Sequence, residues 1–192
     1  MSDIISKTLR VKFKSLSPVL FGRPIFDEKE GETPVDHEER TWKQRAHYND
    51  RGKIIVTGYM LASALEPAAK LLGERVGGAK IGKGMSHYIR LIQIEGDIIT
   101  NITKDNLEGF PAFVSANGKP DGGKVMRTYP KVSKWSGTLT VVYPTLANVL
   151  NDDVVMKYLE IAGLYVGIGH WRPGAPSRGT YGRFNVEKVG DR

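Results

Sequence analysis

The chain contains no cysteine. That excludes disulfides, thiolate nucleophiles and zinc–thiolate sites, and it suits a reducing compartment. No apolar run approaches the roughly 20 residues that span a bilayer. Met1-Ser2-Asp3 opens neither a basic segment nor an apolar signal core, so a cytoplasmic location is expected. The four histidines, His37, His47, His87 and His170, form no H-x-H or H-E-x-x-H arrangement. Neither a metal nor another cofactor is therefore expected. Acidic residues are missing from two stretches. One runs from Gly122 to Tyr143 and carries Lys124, Arg127, Lys131 and Lys134; the other runs from Gly167 to Phe184 and carries Arg172, Arg178 and Arg183.

What is present suits a globular domain: 40% hydrophobic and 26% charged residues in a chain of 192, enough for one sizeable core. Lysine and arginine outnumber the acids 28 to 21, for a net charge of +7. The excess favours an anionic partner, nucleic acid first and an acidic protein or lipid surface second.

Residues 8–14 alternate: Leu9, Val11 and Phe13 point one way, Arg10, Lys12 and Lys14 the other. This predicts a half-buried strand with a basic open face. The acidic stretch 27–40 predicts a solvated loop, with a contact to a basic neighbouring subunit as the alternative. Trp42 to Tyr48 predicts a short helix and Lys53 to Val56 a short strand. Gly58 to Leu72 carries a helical apolar stripe with Thr57 as its cap and Pro67 to kink or restart it. Residues 74–123 are the least regular, with a strand expected at 88–94 and hairpin turns at Asn117-Gly118 and Asp121-Gly122-Gly123. Strands are expected at 124–131 and 137–143, a helix at 151–162 capped by Asn151 or Asp152, and a final strand through Phe184 and Val186.

With insertions at 20–52 and 74–123 set aside, the order is βαββαβ. The expected fold is α+β and ferredoxin-like: one domain with an antiparallel sheet and two helices on one face. The helices should cover Leu9, Val11, Phe13, Phe184 and Val186. Arg10, Lys12, Lys14 and Arg183 should occupy the opposite face.

The first strand running into Ser17-Pro18, the Val56-Thr57-Gly58-Tyr59 lead into the helix, and Gly167-x-Gly169 followed by Gly179-x-x-Gly182-Arg183-Phe184 together resemble the RAMP superfamily. These are the RRM-like proteins of CRISPR effector complexes, including the backbone subunits that coat guide RNA. The chain also looks like a group of phage and prophage proteins with a Gly-Ile-Gly-x-Trp/Phe-Arg-Pro ending. The resemblance implies an RRM-like core. It also implies a glycine-rich loop near bound RNA, which implicates Gly167, Gly169, Arg172, Gly179 and Arg183.

The residues themselves carry a parallel reading. Arg172 and Arg178 lie in a loop whose backbone N–H groups could join their guanidinium groups on a phosphate; the alternative is a glycine-rich connection closing a sheet. Tyr129, Trp135, Trp171 and Tyr181 interleave with cations, the combination that holds single-stranded nucleic acid. Tyr129 and Tyr181 are the aromatics expected to be exposed, with Trp135 and Trp171 expected in the core. Gly77 to Gly84 nearly matches a P-loop, but Gly84 replaces the Ser/Thr that would hold Mg²⁺. Nucleotide hydrolysis is rejected there, and Lys80 and Lys83 suit either a loop touching a nucleic-acid backbone or a plain flexible loop.

The expectation is a non-catalytic protein that binds single-stranded RNA or DNA and assembles as a homo-oligomer or filament, or within a ribonucleoprotein complex. No membrane partner is expected. Its contacts would be Arg10, Lys12, Lys14, Lys80, Lys83, Lys124, Arg127, Tyr129, Lys131, Gly167, Gly169, Arg172, Arg178, Gly179, Tyr181 and Arg183. Head-to-tail assembly would set the acidic 27–40 stretch against a neighbour's basic surface. Two alternatives stand beside it: a metal-independent endoribonuclease using His170 as general acid or base, and a phage accessory protein acting through protein–protein contacts.

Overall fold

Alternation in the first strand decides which of its faces is buried. In the computed structural model, which describes residues 5–77, 82–115, 122–146, 149–176 and 179–190, Leu9, Val11 and Phe13 are at most 5% exposed, while Arg10, Lys12 and Lys14 face solvent. Burying each such apolar side chain contributes roughly 1.5–3 kcal/mol, so a register slip of one residue would cost the whole set.

The elements in chain order are β1 (Ser6–Ser15), β2 (Val19–Leu20), α1 (Pro34–Thr41), a 3-10 turn (Trp42–Arg45), β3 (Lys53–Thr57), α2 (Gly58–Ser63) and α3 (Leu65–Leu72). Then come β4 (Arg75–Val76), β5 (Lys83–Gly84), α4 (Ser86–Ile89), β6 (Gln93–Glu95), β7 (Asp97–Thr103) and β8 (Glu108–Ser115). The last group is β9 (Lys124–Val132), β10 (Ser136–Pro144), α5 (Asp152–Ile161), a π turn (Ala162–Val166) and β11 (Phe184–Lys188).

The main sheet has the order β11-β1-β10-β6, and every pairing in it is antiparallel. α3 packs against α5, and α5 against β11. Leu61, Leu65, Val155 and Leu159 from these helices share one core with Val11, Phe13, Val141 and Phe184 from the sheet. A second sheet, β2-β9-β8, carries a long hairpin, and β3 pairs with β7 in a two-stranded ribbon. None of the helices is long and apolar enough to cross a membrane, among the described residues.

Both helix caps follow the sequence. Thr57 accepts the Met60 N–H at 3.2 Å, and Asn151, rather than Asp152, accepts the Val154 N–H at 2.9 Å. Asp152 has another task. It accepts from Lys7 at 2.7 Å, from Lys188 at 2.6 Å and from the Tyr143 hydroxyl, tying β1, β11 and β10 to the start of α5. Burial works against the charge, yet these three hydrogen bonds hold its carboxyl well below the usual range.

Several expectations are corrected. The helix expected over 58–72 is two helices meeting at Ala64, so Pro67 falls in the first turn of α3, where its missing N–H costs nothing. Residues 88–94 begin as the short helix α4, and the strand starts only at Gln93. It is this strand, β6, that completes the main sheet; the strand at 124–132 pairs with β2 and β8 instead. The acidic stretch is not a loop throughout. Thr33 accepts the Asp36 N–H at 3.2 Å and starts α1, and Arg40 binds Glu32 at 2.6 Å and Asp27 at 2.7 Å. Hydrogen bonding to Arg40, above all, pulls the Glu32 carboxyl down to about 2. Asn117-Gly118 and Asp121 lie outside the described residues.

Candidate nucleic-acid interface

The loop that follows the π turn folds back upon itself. Ile168 N–H donates to the Gly182 carbonyl at 2.9 Å, Tyr181 N–H to Trp171 at 3.2 Å, His170 N–H to Leu20 at 2.7 Å and Gly182 N–H to Pro18 at 2.7 Å. The glycines answer to this packing. A Cβ on Gly179 would lie 1.8 Å from the Trp171 carbonyl oxygen, and one on Gly182 1.8 Å from that of Ile168. Gly167 and Gly169 have positive φ, and Gly169 abuts the Leu20 carbonyl. Six of the loop amides that could have faced a phosphate are taken by the protein's own carbonyls: those of Gly167, Ile168, His170, Gly174, Tyr181 and Gly182. Trp171 sits at φ 49°, a left-handed conformation unusual for a bulky residue.

Side chains rather than backbone make this region a site. The His170 imidazole stacks on Tyr129 with centroids 4.4 Å apart. Trp171 meets Tyr129 at 5.3 Å and Phe110 at 6.0 Å, and Phe110 meets Tyr181 at 5.6 Å. The cluster fastens the loop to the β8–β9 hairpin. Tyr129 is only 5% exposed, contrary to expectation, because His170 and Trp171 cover it. Tyr181 and Trp171 are half-buried, and Trp135 is in the core.

Arginine charges act on the two histidines of this region, although Arg45 is itself paired with Glu38 at 2.6 Å. Burial first, then the charges of Arg172, Arg45 and Arg127, hold the His170 imidazole below its ordinary pKa. Burial and then Arg23 do the same for His47, with Asp97 opposing. His47, His170, Arg172, Ser63 and Met60 line one cleft of about 290 Å³, whose lining includes no carboxylate. Arg172 donates to the Gly169 carbonyl at 3.0 Å, which aims its guanidinium. Imidazoles and an oriented guanidinium in a partly buried cleft can bind a phosphate through charge-assisted hydrogen bonds. Among the described residues no group of three or more histidine, aspartate or glutamate side chains could hold a metal ion.

The remaining expected contacts divide. Arg10, Lys12 and Lys14 share the open face of the main sheet, opposite Thr140, Thr138 and Ser136 on β10; Lys12 also faces Glu187. Lys124 is exposed on β9. Lys131 is paired with Glu108 at 3.0 Å. Lys83 is exposed on the β4–β5 ribbon. Arg183 does not reach the open face: β11 begins one residue later, and Arg183 Nε donates to the Leu164 carbonyl at 3.2 Å. Lys80 and Arg178 lie outside the described residues. Arg23, Arg45 and Phe110 were missed as candidates. Their only sequence signal is their type, because the tertiary fold alone brings them beside the loop.

Compared with known proteins, the chain matches no family model and no curated protein.

Proposed function

We propose that this protein binds single-stranded nucleic acid without cleaving it, gripping phosphates with arginines and lysines and stacking bases on half-buried aromatic rings. The observation that carries the reading is a cleft without a carboxylate in its lining, where Arg172 stands beside His47 and His170 next to an aromatic cluster. Phosphate-directed cations beside aromatic faces are what sequence-tolerant single-strand binding requires. The stripe of Arg10, Lys12 and Lys14 adds cations at a spacing of about 6.6 Å, two residues of strand, along a second path for a polyanion.

Sheet order supports the same reading. With α2–α3 and α5 as crossovers, the antiparallel order β11-β1-β10-β6 is compatible with a ferredoxin-like βαββαβ core, and hence with a RAMP-type protein. On this reading several copies assemble along one strand.

The test is a gel-shift series with single-stranded RNA, single-stranded DNA and duplex, beside Arg172→Ala. Both single strands shift, the duplex shifts less, and Arg172→Ala weakens the shift. Absence of a shift at low salt, or an affinity that stays level between about 50 and 200 mM salt, refutes phosphate-dominated binding.

One observation favours a second reading, RNA cleavage: His47 and His170 line the same cleft. One imidazole would take the 2′-hydroxyl proton as the 2′-oxygen attacks phosphorus. The other, protonated, would give its proton to the departing 5′-oxygen. Intact RNA after long incubation with the wild type, read on a denaturing gel, removes this reading. Cleavage abolished by His47→Ala or His170→Ala would replace the first.

A further inference from the structure

A second cleft, of about 520 Å³, lies between the acidic segment and β9. Its composition differs from that of the histidine cleft. Ile25, Pro34 and Met126 supply apolar wall, and both charges are present. Glu32 is held by Arg40 and Glu38 by Arg45. The side chains of Glu28 and Arg127, which also line the cleft, have no hydrogen-bond or ion-pair partner among the described residues.

Two further features single this cleft out. Three buried side-chain polar atoms among the described residues lack a hydrogen-bond partner, and two of them, His37 Nε2 and Arg45 Nε, belong to residues that line it. The Arg45 side chain is 8% exposed. Orphaned polar groups are rare in native structures and call for an explanation. Next to Ile25, Phe26 is 90% exposed. Its segment is nonetheless anchored, since Arg40 binds both the carboxylate and the carbonyl of Asp27.

Lys29, Arg45 and Arg127 balance the three carboxylates of the lining, so the cleft has no excess of cations to draw a phosphate, and its apolar wall favours a flat ring. A free guanidinium and a free carboxylate in one pocket suit a ring that accepts on one edge and donates on another. Guanine does so: O6 and N7 accept from an arginine in a bidentate pair, and its amino group donates. We propose that this cleft takes a guanine base of the bound strand, with Arg127 donating to O6 and N7, Glu28 accepting from N1–H and the 2-amino group, and Phe26 offering a stacking face at the rim. The inference rests on the single-strand reading above and adds base preference to it.

The experiment measures binding of oligo(U) 12-mers carrying one central G, A, C or U, to the wild type and to Arg127→Ala, Glu28→Gln and Phe26→Ala. Central G should bind about tenfold or more tightly than central A or U, as expected for one bidentate pair. Arg127→Ala and Glu28→Gln should each bring the G-to-U ratio close to one. Glu28 and Phe26 are exposed, so their substitution leaves the fold in place, which circular dichroism checks. Phe26→Ala should weaken the central-G oligomer several-fold. Equal affinity for all four oligomers, or a G preference that survives both Glu28→Gln and Arg127→Ala, overturns the guanine pocket and leaves single-strand binding standing. Failure of every oligomer to bind overturns both.

Discussion

The His170 imidazole lies nearly parallel to the Tyr129 ring, 4.4 Å away with 13° between the planes. The stack joins the glycine-rich loop to β9 and buries one face of a titratable ring among arginines. Protonating that ring means adding a charge where burial and three guanidinium groups already oppose it.

Stability should therefore depend on pH in a definite direction. His170 and His47 both have folded-state pKa values below the ordinary value of about 6.5. Their contribution is fully present above about pH 6.5, where neither the folded nor the unfolded chain is protonated. It is lost as pH falls from there toward the lowered folded values, because the unfolded chain takes up protons first. Urea midpoints should be level from about pH 8 to 6.5 and then decline. A His47→Asn/His170→Asn double variant should decline less, and an equal decline would refute the assignment. Binding carries the opposite sign, since a phosphate beside His170 raises its pKa and affinity then grows as pH falls.

Salt dependence should report the arginines one by one. If Arg172 touches a phosphate, replacing it by alanine should reduce the slope of log K against log salt by about 1. Fluorescence anisotropy with a labelled 12-mer across a salt series measures it. Under the guanine proposal Arg127→Ala loses base preference and leaves the slope nearly unchanged, whereas Arg172→Ala reduces it.

Glu38 holds the region between α1 and β9 together. It accepts from Arg45 at 2.6 Å and from the Thr128 N–H at 2.6 Å, and the two charged side chains are 8% and 13% exposed. Glu38→Ala leaves a buried guanidinium and an orphaned amide, and should cost about 3–5 kcal/mol in urea unfolding. An Arg45→Met/Glu38→Met double variant should lose much less than the sum of the single changes.

Loop geometry is equally testable. Gly182 combines φ +68° with a Cβ position 1.8 Å from the Ile168 carbonyl oxygen. Gly182→Ala should cost at least about 3 kcal/mol, through backbone strain and forced separation of the two loop strands. A loss under 1 kcal/mol would show that the loop relaxes freely.

What could be read from the chain beforehand was local. Leu9, Val11 and Phe13 announce β1 because a buried strand face has period two. Thr57 and Asn151 announce helix starts because their side chains reach amides three residues on. Three-residue β6 was hidden, since its identity as a sheet strand comes from pairing with Val141 and its neighbours rather than from its own pattern. Arg183 escapes the alternation of β11 because it lies one residue outside the strand. For the site, Trp171 and the glycine spacing marked the loop, but the glycines serve chain packing more directly than ligand approach. Arg23 and Arg45 were unreadable because only the tertiary fold brings their charges to bear on His47 and His170.

The central position of β1 has a consequence for synthesis. Its hydrogen-bonded neighbours are β10 and β11, which leave the ribosome long after it. Until they emerge, the strand bearing Leu9, Val11 and Phe13 has no edge to join and presents its apolar side to whatever is nearby. Assembly of the sheet is thus delayed until translation has passed β11. Among the fates of a stalled nascent chain, capture by a holding chaperone is the one this topology invites.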